Sequence, residues 1–261
     1  MLFRSSTWLP RSRVHLYKTV LVWIDFTVDL ESYHRFMDEL AMNPRNGSLV
    51  QEMSLRCERD VPDSTSLFAI TLPNLLPNLK YLHLVWMRNY FDTPPDFFSS
   101  LSRFASLRSF KLCTDLSSFT LGQYCDLLNT ISGHITHFAL EMDYHRSRTL
   151  DGEPIQSSLE AGASFSELRL AVSNVALNLF LSWIQPSPRC LTLDIDSWCT
   201  GQEFCDMCQF VQSCGSSLEE LTLVVHDCSS IRSSFRVYRL LPGTSAQSNF
   251  TTSSGTYTVS P

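Results

Sequence analysis

Leu79-Lys80-Tyr81-Leu82-His83-Leu84 decides how this chain folds, and three later stretches echo it: Leu107-Arg108-Ser109-Phe110-Lys111-Leu112, Ile135-Thr136-His137-Phe138-Ala139-Leu140 and Leu218-Glu219-Glu220-Leu221-Thr222-Leu223. Each carries large apolar residues at positions one, four and six. Positions four and six lie two residues apart, so on a strand they share one face, while positions three, five and seven share the other. A short strand with one buried face, repeated along the chain, is the pattern to follow outward.

The residue at position four marks each unit: Met53, Leu82, Phe110, Phe138, Leu168, Leu191 and Leu221, with Val20 as an earlier marker. From Val20 onward the successive steps are 33, 29, 28, 28, 30, 23 and 30 residues. Most lie near the upper end of the roughly 20 to 29 residues of a leucine-rich repeat. Strands are expected at residues 16–23 and 49–57, and at each six-residue unit. Between them, residues 30–42, 96–104, 121–131, 174–184 and 201–214 read as helices. In residues 121–131, for example, Leu121, Tyr124, Leu128 and Ile131 recur at three- or four-residue spacing and fall on one face. Asp29 is the expected cap of the first helix, and Asn43-Pro44 with Asn46-Gly47 its end. A strand followed by a helix, repeated with one hand, gives an α/β fold: an irregular leucine-rich repeat solenoid with parallel strands on the concave face and helices on the convex face.

Composition narrows the function. The chain has 261 residues, 44% of them hydrophobic and 11% aromatic, enough for a sizeable core. Its net charge of −6 argues against a broad nucleic-acid or anionic-membrane surface, which needs clustered Lys and Arg. No apolar run near the N-terminus is long enough for a signal peptide, and the longest apolar stretch, residues 20–24, stops at Asp25. The expected location is cytoplasmic or nuclear, with the nine cysteines as reduced thiols. Residues 146–163 are polar and read as an exposed loop. Residues 229–261, rich in Ser and Thr, read as a disordered tail, and no capping repeat is evident ahead of it.

Trp8-Leu9-Pro10-Arg11-Ser12-Arg13 and His15-Leu16-Tyr17, followed by units of the Leu75-Leu76-Pro77-Asn78-Leu79-Lys80-Tyr81-Leu82 kind, resemble fungal F-box proteins with degenerate leucine-rich repeats. Residues 1–15 then correspond to the end of an F-box and a linker, and residues 16–228 to the repeat domain. The resemblance implies the substrate-recognition part of an F-box subunit of a cullin-RING ubiquitin ligase: a non-catalytic module whose partner is a protein substrate. Only seven residues precede Trp8. Binding to the ligase adaptor is therefore expected only if an F-box is encoded upstream. The alternatives are a stand-alone leucine-rich repeat scaffold unrelated to ubiquitin, or a cysteine-dependent metal or redox protein.

The candidate partner-binding residues are the strand positions that alternate away from the core. They are Tyr81, His83 and Val85; Ser109, Lys111 and Cys113; His137 and Glu141; Glu167 and Arg169; Thr192 and Asp194; Glu220 and Thr222. Their mixed charge suits a protein rather than a nucleic acid. No catalytic residue, cofactor or metal ligand is expected. Cys205-Asp206-Met207-Cys208, with Cys199 and Cys214, lacks a second close pair for zinc and reads instead as a buried helix stripe of Phe204, Cys208, Val211 and Cys214. None of the seven histidines sits in a nucleophile or metal-binding motif. Trp86, Tyr90, Phe91, Phe97 and Phe98 read as core beneath a loop.

Overall fold

The computed structural model of the chain describes residues 16–24, 30–57, 71–86, 98–115, 119–143, 162–172, 174–196, 201–227 and 234–240. These form an α/β structure around one sheet. In chain order the elements are β1 (Thr19–Ile24), α1 (Leu30–Met42), α2 (Pro44–Leu49), β2 (Glu52–Cys57) and β3 (Tyr81–Trp86). A 3-10 helix at Ser99–Arg103 precedes β4 (Ser109–Asp115), α3 (Leu121–Ile131), β5 (His137–Asp143), β6 (Glu167–Ala171) and α4 (Asn174–Trp183). Then come β7 (Cys190–Asp196), α5 (Gly201–Cys214), a short 3-10 turn at Gly215–Ser217, β8 (Glu220–Asp227) and β9 (Ser234–Leu240).

Spatial order follows sequence order from β1 to β9. Pairing from β1 through β8 is parallel. The markers read from the sequence stand in a single register row, Val20, Met53, Leu82, Phe110, Phe138, Leu168, Leu191 and Leu221, each paired with the next. The residues two positions on, Val22, Leu55, Leu84, Leu112, Leu140, Leu170, Leu193 and Leu223, make a second row on the same face. From β2 to β7 both rows are buried, and they belong to one continuous apolar core. Fully burying each such side chain contributes about 1.5–3 kcal/mol. The alternation of inward apolar and outward residues therefore fixes the register strand by strand.

Aromatic residues fill the space between the sheet and the elements packed on it. Phe98, Phe119, Tyr124, Phe180 and Trp183 form a chain in which successive ring centres are 4.9, 5.4, 5.3 and 5.5 Å apart. The last three contacts are edge-to-face, the arrangement that the ring quadrupoles favour. On the sheet itself, Phe110 stacks with Phe138 at 6.2 Å, and Phe138 meets Phe165 at 5.1 Å. Helix α3 starts where expected because Thr120 caps it. The Thr120 hydroxyl accepts from the Gln123 amide at 3.2 Å, and the Gln123 side chain accepts from the Thr120 amide at 2.9 Å, a reciprocal capping box.

Several expected boundaries need correction. The first strand begins at Thr19 rather than at residue 16, because residues 16–18 are helical. Helix α1 spans residues 30–42 as expected, but Pro44 does not end helical structure; it opens α2 at a position where a proline lacks no needed donor. The second strand accordingly starts at Glu52. Gly47 inside α2 is there for contact: a Cβ would collide with the Leu75 carbonyl. The helix expected at residues 96–104 is, among the described residues, only the 3-10 segment Ser99–Arg103. Ala163, placed in an exposed loop by the sequence, is buried and bridges Ile184.

Phe98 is core, as expected; Tyr90, Phe91 and Phe97 lie outside the described residues, as do Asp29 and most of residues 146–163. Among the α5 residues whose burial is described, Met207, Phe210 and Cys214 are buried, Val211 packs against the core and Cys208 is only half-buried; the side chain of Phe204 lies outside the description. Of the anticipated stripe, Val211 and Cys214 pack inward as expected, and Met207 rather than Cys208 is the buried residue one turn earlier. Within the stretch expected as a disordered tail, Ser234–Leu240 forms β9, which pairs antiparallel with β8 and covers its edge. Residues 229–233 and 241–261 lie outside the described residues. Among the described residues no helix is long and apolar enough to cross a membrane.

If the register is right, Leu84→Ala should lower unfolding stability in urea by about 2–5 kcal/mol. Tyr81→Ala, three residues earlier on the outward face, should cost within about 1 kcal/mol. Equal losses would contradict the assignment of faces.

Candidate functional site

The outward face of the sheet carries three rows. The first is Thr19, Glu52, Tyr81, Ser109, His137, Glu167, Cys190 and Glu220. The middle row is Leu21, Ser54, His83, Lys111, Ala139, Arg169, Thr192 and Thr222. The third is Trp23, Arg56, Val85, Cys113, Glu141, Ala171, Asp194 and Val224. Every residue anticipated as a partner contact therefore lies on this face, and all but one are exposed or half-buried. Asp194 is the correction. It is buried at 9% exposure, between Ala171, itself buried, and Val224, so this corner of the face is closed.

Glu141 is the electrostatic centre of the face. Lys111 Nζ lies 2.8 Å from its Oε2 and an Arg169 guanidinium nitrogen 3.3 Å from its Oε1. The two cations come from the strands on either side, 30 and 28 residues away in sequence. Burial alone would raise the Glu141 carboxyl pKa; hydrogen bonds from Lys111 and Cys113 and the charges of Lys111 and Arg169 outweigh it and hold it below its ordinary value.

A hydrogen-bond chain leads into the same carboxylate. The Cys113 thiol donates to Glu141 Oε2 at 3.2 Å, which leaves its sulfur only able to accept. His83 Nε2, 3.3 Å away, must then carry the proton, and His83 Nδ1 accepts from the Ser54 hydroxyl at 3.2 Å. The chain runs Ser54, His83, Cys113, Glu141 with each donor pointing the same way. Burial, the bond to Glu141 and the charge of Glu141 push the Cys113 thiol up to about 12. A nucleophilic cysteine needs the reverse arrangement, with a thiolate favoured and a base free to take its proton. The pairing of Cys113 with His83 holds a neutral thiol in place.

A depression of about 470 Å³ opens beside this network. Ala139 forms part of its floor, and Tyr81, Ser109, His137, Glu167 and Cys190 of the first row border it, with Arg169 and Thr192 beyond. It is open because of where its neighbours point. Lys111 and Arg169 flank Ala139 in register, and both are drawn toward Glu141 in the third row. His137 is drawn sideways, its Nε2 3.1 Å from Glu167 Oε1. Arg169 and His137 therefore line the opening with their ends held by carboxylates, and Lys111 is held on Glu141.

No protein-family model, curated protein or solved structure matches this chain. The outward face itself must supply the functional argument. Ala139, Cys190 and Ser54 belong to the site but were not singled out from sequence. Their signal was present: Ala139 and Ser54 hold position five of their units, where neighbouring units carry His83, Lys111 and Arg169, and Cys190 holds position three, beside Glu167 and Glu220. Of the remaining cysteines once considered as a cluster, Cys205 is exposed, Cys208 half-buried and Cys214 buried, while Cys199 lies outside the described residues. Among the described residues no group of three or more His, Cys, Asp or Glu side chains is placed to hold a metal.

Two outcomes follow from the network. Burial, then the Lys111 charge, lowers the His83 pKa from 6.5, against an opposing effect of Glu141. The folded protein therefore binds this proton less readily than the unfolded chain. The His83 contribution to stability is complete above pH 6.5 and is lost as pH falls from there through the lowered folded value. Melting curves between pH 7.5 and 5.5, on the order of one pH unit either side of the unfolded pKa, should show a shallower fall for His83→Gln than for the unaltered protein. Glu141→Ala should make Cys113 alkylate several-fold faster near pH 8, measured by mass spectrometry of the labelled peptide, since the pKa of a thiol sets its thiolate fraction. Unchanged labelling would show that Glu141 does not hold the thiol proton.

Proposed function

We propose that this chain is an irregular leucine-rich repeat solenoid whose outward strand face is concave and binds a protein partner without catalysis. In this reading it acts as the substrate-recognition part of an F-box subunit of a cullin-RING ubiquitin ligase. The observation that carries the reading is the unbroken set of outward rows across β1 to β8, in which polar and charged residues from successive units stand side by side. A parallel sheet with helices between its strands normally has both faces covered. Here the outward positions of β2 to β8 are largely exposed or half-buried, while the inward rows of β2 to β7 are sealed. A large, one-sided, open sheet of this kind is the form in which stacked repeats present a binding surface.

Chemistry on the face agrees with binding. The ion pairs of Lys111 and Arg169 with Glu141, at 2.8 and 3.3 Å, fix the positions of charges that would otherwise sweep a wide volume. Preorganised groups lose less freedom when a partner arrives. The Cys113 thiol is engaged by the Glu141 carboxylate and the His83 imidazole by Ser54 and Cys113.

Affinity capture with the full chain tests the reading by comparison of two variants. Ala139→Trp fills the depression on the strand face, whereas Asn129→Ala alters an exposed residue of α3 on the helix side. Proteins retained by the unaltered chain and by Asn129→Ala should be lost from Ala139→Trp, and a purified partner identified in this way should be ubiquitylated when the chain is joined to an F-box and the ligase. Retention by Ala139→Trp would overturn the strand face as the binding surface; loss without ubiquitylation would leave binding and remove the ligase role.

A further inference from the structure

Along the rim where the strands begin, one position before the first outward row, a further row of residues is held by backbone bonds. The Lys80 carbonyl accepts from the Arg108 amide, the Arg108 carbonyl from that of Thr136, and the Thr136 carbonyl from that of Ser166, each at 2.9 Å. Lys80, Arg108, Thr136 and Ser166 therefore follow one another along the rim, each about 4.8 Å from the next. All four are exposed. Toward the two ends of the same row, Lys18 lies 3.9 Å from Glu52 and Arg189 lies 2.7 Å from Glu219. Between these pairs, neither Lys80 nor Arg108 has a carboxylate partner among the described residues. Arg108 spends its Nη1 on the carbonyls of Ala105 and Leu107, at 3.2 and 2.8 Å, which holds the guanidinium in place and leaves its charge and its Nε and Nη2 donors. In a chain whose net charge is −6, two adjacent cations are thus left unanswered. Beside them the rim opens into a depression of about 340 Å³ bordered by Ser132, His134, Thr136, Ser164, Ser166 and Ser187, and no Asp or Glu among the described residues lines it. Arg108 is close to its wall: burial lowers the His134 pKa, a backbone bond to Leu101 opposes this, and the Arg108 charge lowers it further. The Ser164 and Ser187 hydroxyls stand 2.9 Å apart, so one of their two hydrogens lies between them and the other is free to donate. The Ser166 hydroxyl has no partner among the described residues.

We propose that this rim takes an acidic segment of the protein partner, with two Asp or Glu side chains on Lys80 and Arg108 and the segment continuing over the hydroxyls of the depression. The inference rests on the strand face being a protein-binding surface and names the partner's charge where it crosses the edge of that face. Tyr81 and Ser109, the next residues along β3 and β4, already belong to the face. An extended segment rises about 3.3 Å per residue, so carboxylates two positions apart span about 6.6 Å, close to the spacing of the two cations. Lys80 and Arg108 break no ion pair when the segment arrives, and Arg108 is already held in position, so little of the attraction is offset. A basic segment meets like charges at the same place. A nucleic-acid strand finds only two unanswered cations, with Glu52 and Glu219 beyond them, where its affinity needs many phosphate contacts.

A random decapeptide library displayed on phage is the probe. Selection against the unaltered full chain should enrich peptides with two Asp or Glu within three positions by about tenfold over the input. That preference should vanish on Lys80→Gln and on Arg108→Gln. It should persist on Arg108→Lys, which keeps the charge, and on Arg35→Gln, which removes a cation from an exposed position of α1. Lys80→Gln alters an exposed side chain that makes no ion pair, and circular dichroism melts establish that each variant is folded before selection. Acidic enrichment that survives Lys80→Gln, or that Arg35→Gln removes equally, would overturn the rim as its seat. Peptides enriched without acidic residues and lost on Ala139→Trp would overturn the inference and leave the binding face standing. Failure to enrich any peptide, while a labelled oligouridylate binds through Lys80 and Arg108, would overturn it in favour of a nucleic acid. Neither peptide enrichment nor oligouridylate binding would overturn both the inference and the reading on which it rests.

Discussion

Everything in this protein depends on one constraint: successive strands pair in parallel with their position-four residues side by side. The row from Val20 to Leu221 and its companion from Val22 to Leu223 both face the core because the backbone alternates every residue. A slip of one residue at any strand would bring Lys111 or Arg169 inward and turn Phe110 or Leu168 to solvent, at the cost of a buried unpaired charge. The aromatic chain from Phe98 to Trp183 then packs on a surface whose contours are already fixed. The outward rows inherit the same order.

That order lets residues 28 to 30 positions apart in sequence act as neighbours. Glu141 is the clearest case. Strand spacing brings Lys111 and Arg169 to its two oxygens and Cys113 to one of them, and this convergence both settles the charges and opens the floor at Ala139. Individually, such partly exposed ion pairs contribute about 1 kcal/mol or less. Their effect is geometric: they determine which groups a partner meets and which are already engaged.

Much of the framework was legible in the sequence, for physical reasons that differ by element. Position-four markers could be aligned because two-residue alternation is a strong, local signal. The span of α3 was readable because its apolar residues fall on one face and Thr120 with Gln123 closes its start. Helix α2 was not, because Pro44 and Gly47 signal a break locally, while their actual roles are an N-terminal proline and a close approach to Leu75. Strand β9 was hidden for another reason: it pairs antiparallel and shares no period with the units before it. At the site, alternation was enough to pick the outward residues, but not to see that Asp194 is buried or that Ala139 is the opening. Both depend on neighbours from adjacent strands, which a single stretch of sequence does not contain.

Amide hydrogen exchange, resolved residue by residue in the full chain, tests the central claim most directly. In an in-register sheet ordered β1 to β9, the amides of β3 to β7 are held on both sides and open only with the sheet as a whole. The account predicts that these five strands exchange together, at the slowest rate in the molecule. One interior strand exchanging orders of magnitude faster than its neighbours would show that the sheet is broken there, and the outward rows with it.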